Sequence, residues 1–314
     1  MKVKITGIIH EATDVRSYRL EAVEPGHVLP EFTAGSHIDV TIYSRLVRQY
    51  SICSDPDEKG YYKIGVQKGP QSSGGSEALI RDFREGQIIE ISGPRNHFRL
   101  DEGGSEFILI GGGIGITPIL SMAQRLRRIG RPFRLYYLAR SKDRFAFGER
   151  LSADDLAPSV TYHDDETRGL PDLATLVGPY RNGLRVYCCG PTALMDAVRG
   201  LCAGWPPKSV VFEHFSRGDD PSAGDNRSFE IQIGRDGPVF VVGPDQSILQ
   251  VLRKNGYRIE TQCTQGLCGT CEVKVLAGQV DHRDLVLDQD EQAENSCMMV
   301  CCSRAISGRL VLEL

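Results

Sequence analysis

Hydrophobic and polar positions follow three successive rhythms along this chain. Through the first ninety or so residues, short alternating stretches recur: VKITGIIHEA, SYRLEAV, HIDVTIY, RQYSIC, YYKIGVQK and IIEISGP. Gly, Pro and Asp break them at roughly ten-residue intervals, as in an antiparallel barrel. One helical stretch, EALIRDF, interrupts the series. From Phe107 the rhythm changes. Phe107-Ile108-Leu109-Ile110 is continuously apolar, as expected of a parallel strand covered on both faces. A helix with apolar spacing follows (ILSMAQRLRRI), then strands at FRLYYLAR, SVTYHDD and RVYCCG and the helix TALMDAVRGL. This alternation predicts an open, mostly parallel sheet with helices on its faces. The C-terminal part ends in one more strand, RLVLEL.

The chain has 314 residues, too many for one small core. Two polar seams divide it. The first is Asp101-Glu102-Gly103-Gly104-Ser105; the second, Ser216 to Arg227 (SRGDDPSAGDNR), has the composition of a flexible linker. The expected organisation is an antiparallel β-barrel over 1–102, an α/β domain over 103–218 and a third domain over 228–314. At 40% hydrophobic and 25% charged residues, the composition is that of a soluble globular protein. A net charge of -4 argues against a nucleic-acid binder. No apolar run is long enough to span a bilayer, and the N-terminal residues lack a signal peptide's apolar core, so a cytoplasmic location is expected. Ten cysteines in such a chain point to metal binding or catalysis more than to disulfides.

The run CTQGLCGTC places Cys263, Cys268 and Cys271 in C-x4-C-x2-C spacing, that of a plant-type 2Fe–2S module with a fourth cysteine downstream. Gly266 and Gly269 allow a loop to wrap closely around such a cluster. Zinc is the rival, but its sites usually show paired C-x2-4-C spacings. The segment CMMVCCSRA offers Cys297, Cys301 and Cys302 as the distant thiol. In the middle section, the strand Phe107–Ile110 runs into Gly111-Gly112-Gly113-Ile114-Gly115-Ile116-Thr117-Pro118. Glycines let the backbone turn against a pyrophosphate, and Pro118 suits a first helical turn. The strand RVYCCG ends in Cys189-Gly190-Pro191. In the barrel section, Arg48-Gln49-Tyr50-Ser51 offers a forked donor for phosphate and a ring for a flat cofactor. Lys68, then Gly74, Gly75 and Ser76 ahead of a helix, form a second anion-binding pattern, or a plain loop with Ser76 as cap.

Together these motifs resemble the phthalate dioxygenase reductase family, which includes vanillate demethylase reductases. The order of flavin barrel, nucleotide domain and C-terminal ferredoxin is specific to that class. The resemblance implies a flavin barrel, an α/β nucleotide-binding domain of ferredoxin-reductase type and a C-terminal α+β ferredoxin domain of β-grasp form. In the family Arg48 pairs with the flavin phosphate, Tyr50 packs on the isoalloxazine, and Ser51 lies near its reactive edge. Gly112, Gly113, Gly115, Thr117, Pro118, Gly190 and Pro191 fall in the nucleotide motifs, and Cys189 borders the nicotinamide. Phe215, in Phe212-Glu213-His214-Phe215, takes the place of an aromatic near the flavin, or is an interdomain packing residue. Ser51, Cys189 and Phe215 are thus the catalytic candidates. The ending CCSRA favours Cys301 as fourth ligand, with Cys302 the alternative. Asp281-His282-Arg283-Asp284 also belongs to the family's ferredoxin module and is assigned no catalytic role.

NADH gives up two electrons together, a 2Fe–2S centre takes one at a time, and a flavin converts between them. The short loop after Lys68 brings no aromatic to stack an adenine, which favours FMN over FAD. The expected activity is that of an NADH-dependent oxidoreductase component in aromatic catabolism, serving a terminal Rieske-type oxygenase. Two alternatives are a ferredoxin-like binding protein with inactive upstream domains and a self-contained oxygenase. The intact RQYS, GGGIGITP and CGP motifs argue against the first. The second lacks a Rieske Cys/His pattern or a globin-length domain. For nucleotide choice, the basic Arg140, Lys142 and Arg144 oppose the acidic Asp164-Asp165-Glu166, and the resemblance tips the balance to NADH.

Overall fold

A computed structural model describes residues 1–24, 26–43, 46–69, 74–215, 226–261, 263–287 and 289–314. The Gln71–Ser73 part of the expected anion loop and most of the expected linker lie outside them. The chain forms two compact units, Met1–Glu213 and His214–Leu314.

The first unit begins with the barrel. Its strands are β1 (Lys2–Ala12), β2 (Val15–Ala22), β3 (His37–Tyr43), β4 (Leu46–Ser51), β5 (Tyr61–Gln67) and β6 (Ile88–Ile91). They are ordered β4-β3-β6-β1-β2-β5, with every neighbouring pair antiparallel. A bridge from Ile52 to Ile64 joins the end of β4 to β5 and draws the two edges together. Alternation sends Val3, Ile5, Tyr18, Leu20, Ile38 and Val40 into the core, because successive strand side chains point to opposite faces. Helix α1 (Gly75–Asp82) adds Ala78 and Leu79 to the same core.

The rest of the unit is a parallel sheet of β7 (Glu106–Gly112), β8 (Phe133–Ala139), β9 (Val160–Asp164), β10 (Leu184–Cys189) and β11 (Val210–Glu213). The order is β11-β10-β7-β8-β9. From central β7 the chain winds outward to β9, then returns to the other side for β10 and β11. The direction reverses between β7 and β10, and in open α/β sheets ligands bind in the crevice beyond the strand C-termini at such a point. The GGGIGITP and CGP runs both lie there. Helix α2 (Ile116–Arg128) buries its apolar face on the sheet.

The seam at 101–105 marks a change of architecture within this unit. Phe98 of the barrel section packs in the core around α2. Ser121 Oγ donates to the Ser54 carbonyl (3.0 Å) and Gln124 Nε2 to the Cys53 carbonyl (3.0 Å). Arg125 pairs with Asp57 (2.9 Å) and Arg128 with Asp55 (2.6 Å). Barrel and sheet are therefore bound by core packing and paired charges, where the composition alone reads as a boundary.

The second unit has β12 (Phe229–Ile233), β13 (Val239–Val242), β14 (Glu272–Ala277), β16 (Cys297–Met299) and β18 (Arg309–Glu313) in the order β13-β12-β18-β14-β16. A separate two-stranded pair joins β15 (Val280–Asp281) to β17 (Arg304–Ala305). Strands β12 and β18 run parallel; the other pairs are antiparallel. The helix Ile248–Lys254 packs Ile248, Leu249, Val251 and Leu252 into this core. It starts at a capping box in which Ser247 and Gln250 satisfy each other's backbone amides. No described helix is long and apolar enough to cross a membrane.

Candidate functional site: a strand-end junction and a thiol loop

The GGGIGITP and CGP loops meet backbone to backbone. A Cβ on Gly115 would collide with the Cys189 carbonyl oxygen, and one on Gly190 would lie 3.0 Å from Gly112 Cα. One on Gly112 would lie 2.8 Å from Pro191 Cδ. Gly113 has φ +55° and faces open space, so it is needed for its backbone conformation, which side chains rarely adopt. These glycines bring the β7 and β10 C-termini together and leave backbone at the crevice, a cradle suited to a pyrophosphate. Thr117 is buried, its hydroxyl donating to the Ile114 carbonyl (2.9 Å) and its methyl facing Gly65 of β5. Pro118 is buried beside it. Both build the first turn of α2.

At the same strand ends, Cys189 on β10 is opposite Glu213 on β11, and Ser51 Oγ donates to Glu213 Oε2 at 3.4 Å. Ser51 and Cys189 are buried and Glu213 is half-buried. Loss of water around the Glu213 carboxyl pushes it up to about 8, partly offset by the Ser51 donor. Burial raises the Cys189 thiol well above its usual range, with Glu213 adding to the effect. Burial thus favours the uncharged form of both groups. The sequence reading named Ser51 and Cys189 but missed Glu213. Its one signal was a carboxylate at the end of the otherwise apolar strand Val210-Val211-Phe212-Glu213.

On β4, Arg48 lies across the start of α1: a Cβ on Gly75 would stand 2.6 Å from Arg48 Cγ and 2.7 Å from Nε. Gly74, at φ +82°, turns the chain into that helix. A guanidinium and a helix N-terminus in contact make a cradle for a phosphate, and the glycine keeps it open. Tyr50 is buried in the barrel core with its hydroxyl 3.0 Å from Ser76 Oγ, and burial pushes its phenol to about 12. Gln49 donates to Asp39 (3.2 Å), which Arg95 grips with two contacts of 2.6 and 2.7 Å. Lys68 faces Glu77 of α1 at 3.5 Å. Phe215, 44% exposed, belongs to the second unit.

At the C-terminal edge of the parallel sheet, the basic and acidic runs lie side by side, with Glu166 N donating to the Arg140 carbonyl (3.0 Å). Asp164 is buried and bonded to Thr167, and the exposed charges there are Arg140, Lys142, Asp143, Glu166 and Arg168.

In the second unit the thiols pair two by two. Cys263 donates to Cys268, which with a further bond from Thr270 lowers the Cys268 thiol. Cys301 donates to Cys271 and lowers it likewise. The amides of Gln265 and Leu267 point at Cys263 Sγ from 3.3 and 3.4 Å. Among the described residues no three such donors converge on one point able to hold a single metal ion. A two-iron cluster takes two thiolates on each iron, which matches two neighbouring thiol pairs. The donor set therefore fits a 2Fe–2S cluster. Cys302 bonds to Cys301 and sets its sulfur against Gly266, while Cys297 opens β16.

Two family profiles match the chain: an oxidoreductase FAD-binding domain over residues 2–100 and a 2Fe–2S iron–sulfur cluster binding domain over residues 231–305. Phthalate dioxygenase reductase from Burkholderia cepacia is 40% identical, the match covering 100% of this chain and 97% of that protein. Vanillate O-demethylase oxidoreductase from a Pseudomonas species is 41% identical, with 100% of both covered. A solved structure of phthalate dioxygenase reductase, described as modular for electron transfer from pyridine nucleotides to 2Fe–2S, matches with a TM-score of 0.73 at 40% identity, covering 100% of this chain and 98% of that one. An intact type IV self-sufficient cytochrome P450 monooxygenase matches with a TM-score of 0.92 at 36% identity; this whole chain spans 41% of its length.

Proposed function

Because the chain belongs to the phthalate dioxygenase reductase family, we propose that it is the reductase component of a multicomponent oxygenase, moving electrons from NADH through FMN and a 2Fe–2S cluster to a Rieske-type partner. The observation that carries this reading is the match over the whole chain, which takes in both the barrel strand with Arg48 and the paired thiols. In this reading 1–102 is the flavin domain, 103–218 the nucleotide domain and 228–314 the ferredoxin domain.

Bound flavin accepts two electrons and releases them singly, the conversion that links a nicotinamide to a one-electron cluster. The chain's own residues bind, orient and control protons. Arg48, with Gly74, Gly75 and Ser76 at the start of α1, holds the flavin phosphate; Tyr50 and Gln49 set the strand beside it, and Lys68 completes the positive rim. Gly112, Gly113, Gly115, Gly190 and Pro191 shape the nucleotide crevice, with Thr117 and Pro118 fixing α2 behind it. Cys189 and Glu213, both biased by burial toward their uncharged forms, limit fixed charge at the place where the nicotinamide and flavin must meet. Glu213 holds a proton next to Ser51 Oγ. Cys263 and Cys268 ligate one iron, Cys271 and Cys301 the other.

FMN is favoured because residues 68–74 contain no aromatic to stack an adenine. The barrel profile is described as FAD-binding, so chromatography of heat-released flavin decides: FMN is expected, and FAD would overturn that choice. The cytochrome P450 neighbour favours a second reading of the partner, a haem monooxygenase. The deciding experiment mixes NADH-reduced protein with a purified Rieske oxygenase and with a purified P450. Faster reoxidation by the Rieske protein is expected; preference for the haem protein would replace that partner.

A further inference from the structure

The run Asp281-His282-Arg283-Asp284 contributes no ligand to the thiol pairs, yet among the described residues it holds the most enclosed carboxylate of the second unit's loops. The Asp284 side chain is 0% exposed. Its Oδ2 accepts the amides of Val286 (3.2 Å) and Leu287 (2.9 Å), and its Oδ1 accepts the Ser303 hydroxyl (3.2 Å). Among the described residues no Lys or Arg pairs with it; His282 Nδ1 stands 3.7 Å away, and neither nitrogen of that buried ring has a hydrogen-bond partner. A buried carboxylate with no Lys or Arg beside it is costly, and here three donors hold it in place.

Its location is specific. Leu285 N donates to the Gly266 carbonyl (2.9 Å), locking this run against the thiol loop. Gly266 sits at φ +73°, and a Cβ on it would lie 3.0 Å from Asp284 Cα, 3.2 Å from Asp284 Cβ and 2.5 Å from Cys302 Sγ. The thiol loop is thus gripped between Asp284 and Cys302, and Ser303, the residue after Cys302, reaches back to the carboxylate. We propose that Asp284 is a positioning residue whose buried negative charge holds the reduction potential of the cluster on this loop low. The inference rests on the proposed 2Fe–2S ligand set. An electron added beside a fixed negative charge meets repulsion that a dry interior screens poorly, and the potentials of these clusters respond to net charge and hydrogen bonding.

The test is an EPR-monitored redox titration of the full chain, with iron and sulfide analysis on the same samples. Asp284→Asn keeps the shape and the two amide bonds, removes the charge, and turns the group facing Ser303 Oγ from an acceptor into a donor. Its cluster midpoint should rise by an amount equal to a tenfold change in electron sharing with the flavin, 59 mV for one electron. Ser303→Ala strips one donor from the carboxylate and should shift the midpoint the other way, by less. Parental potentials in both variants at full iron content would overturn the proposal and leave Asp284 a structural brace. If Asp284→Asn cannot hold iron, Ser303→Ala decides: a downward shift supports the proposal and no shift overturns it. A parent protein without iron and sulfide would instead sink the ligand set.

Discussion

The strand-end junction and the thiol loop are built in opposite ways. Ser51, Cys189 and Glu213 come from three strands spread over most of the first unit: β10 and β11 pair side by side, and barrel strand β4 reaches Glu213 through Ser51. Three of the four proposed cluster ligands lie within nine residues of one loop, and that loop's amides already point at Cys263. A site assembled by packing depends on remote contacts, so small errors in a distant backbone should damage it. A site assembled by local spacing should tolerate those errors and fail only when a ligand is lost.

The largest test of this contrast is Gly115→Ala. The added methyl meets the Cys189 carbonyl oxygen, and relieving such a clash typically costs ~1–3 kcal/mol. Displacing the junction by an ångström should slow NADH-driven flavin reduction by about 100-fold, with iron content unchanged. Stopped-flow absorbance and iron analysis on one preparation check both halves. Cluster loss in this variant would erase the distinction between the two sites.

A smaller effect is expected of Arg48→Ala. Removing a charged donor from a phosphate costs ~1.5–3 kcal/mol, so flavin should bind about 10- to 100-fold more weakly. Fluorescence titration of the flavin-stripped protein measures this. Normal flavin retention would move the phosphate away from α1.

Glu213 gives the junction a pH signature. Its folded value, about 8, lies above its ordinary value of 4.5. The folded state therefore holds that proton more tightly, and stability declines as pH rises from about 4.5 through about 8, then levels off. Glu213→Gln should flatten that part of the profile of Tm against pH, and should remove any break near pH 8 in the rate of flavin reduction. A variant that keeps the wild-type profile would assign the proton to another group.

The smallest effect concerns the nucleotide. With Glu166 exposed next to Arg140, kcat/KM for NADH should exceed that for NADPH by at least about tenfold, roughly 1.4 kcal/mol. Equal or better use of NADPH would mean that the basic side chains face the adenosine ribose.

Legibility followed the same division. The strand rhythms place the barrel, the parallel sheet and the final strand where the structure has them, because alternation and continuous apolar runs report which faces are buried. The cysteine spacing, a local property, already named the loop whose thiols pair. Glu213 was missed because nothing in Val-Val-Phe-Glu says that its carboxyl meets Ser51, 162 positions earlier. The join across residues 101–105 was hidden for the same reason: Asp55 and Asp57 read as a polar turn until Arg125 and Arg128 are brought to them. Nothing in the local sequence around Asp284 marks it as buried, and only the fold shows it enclosed.

The most direct test is anaerobic reduction by NADH, followed by flavin absorbance and cluster EPR in the parent protein and in Cys268→Ser. The parent should bleach its flavin and develop the signal of a reduced 2Fe–2S centre. Cys268→Ser should bleach its flavin at a similar rate, show no cluster signal and fail to reduce the partner oxygenase. A parent whose flavin bleaches while its cluster stays oxidised, or a variant that still drives the oxygenase, would contradict electron flow from NADH through flavin to cluster.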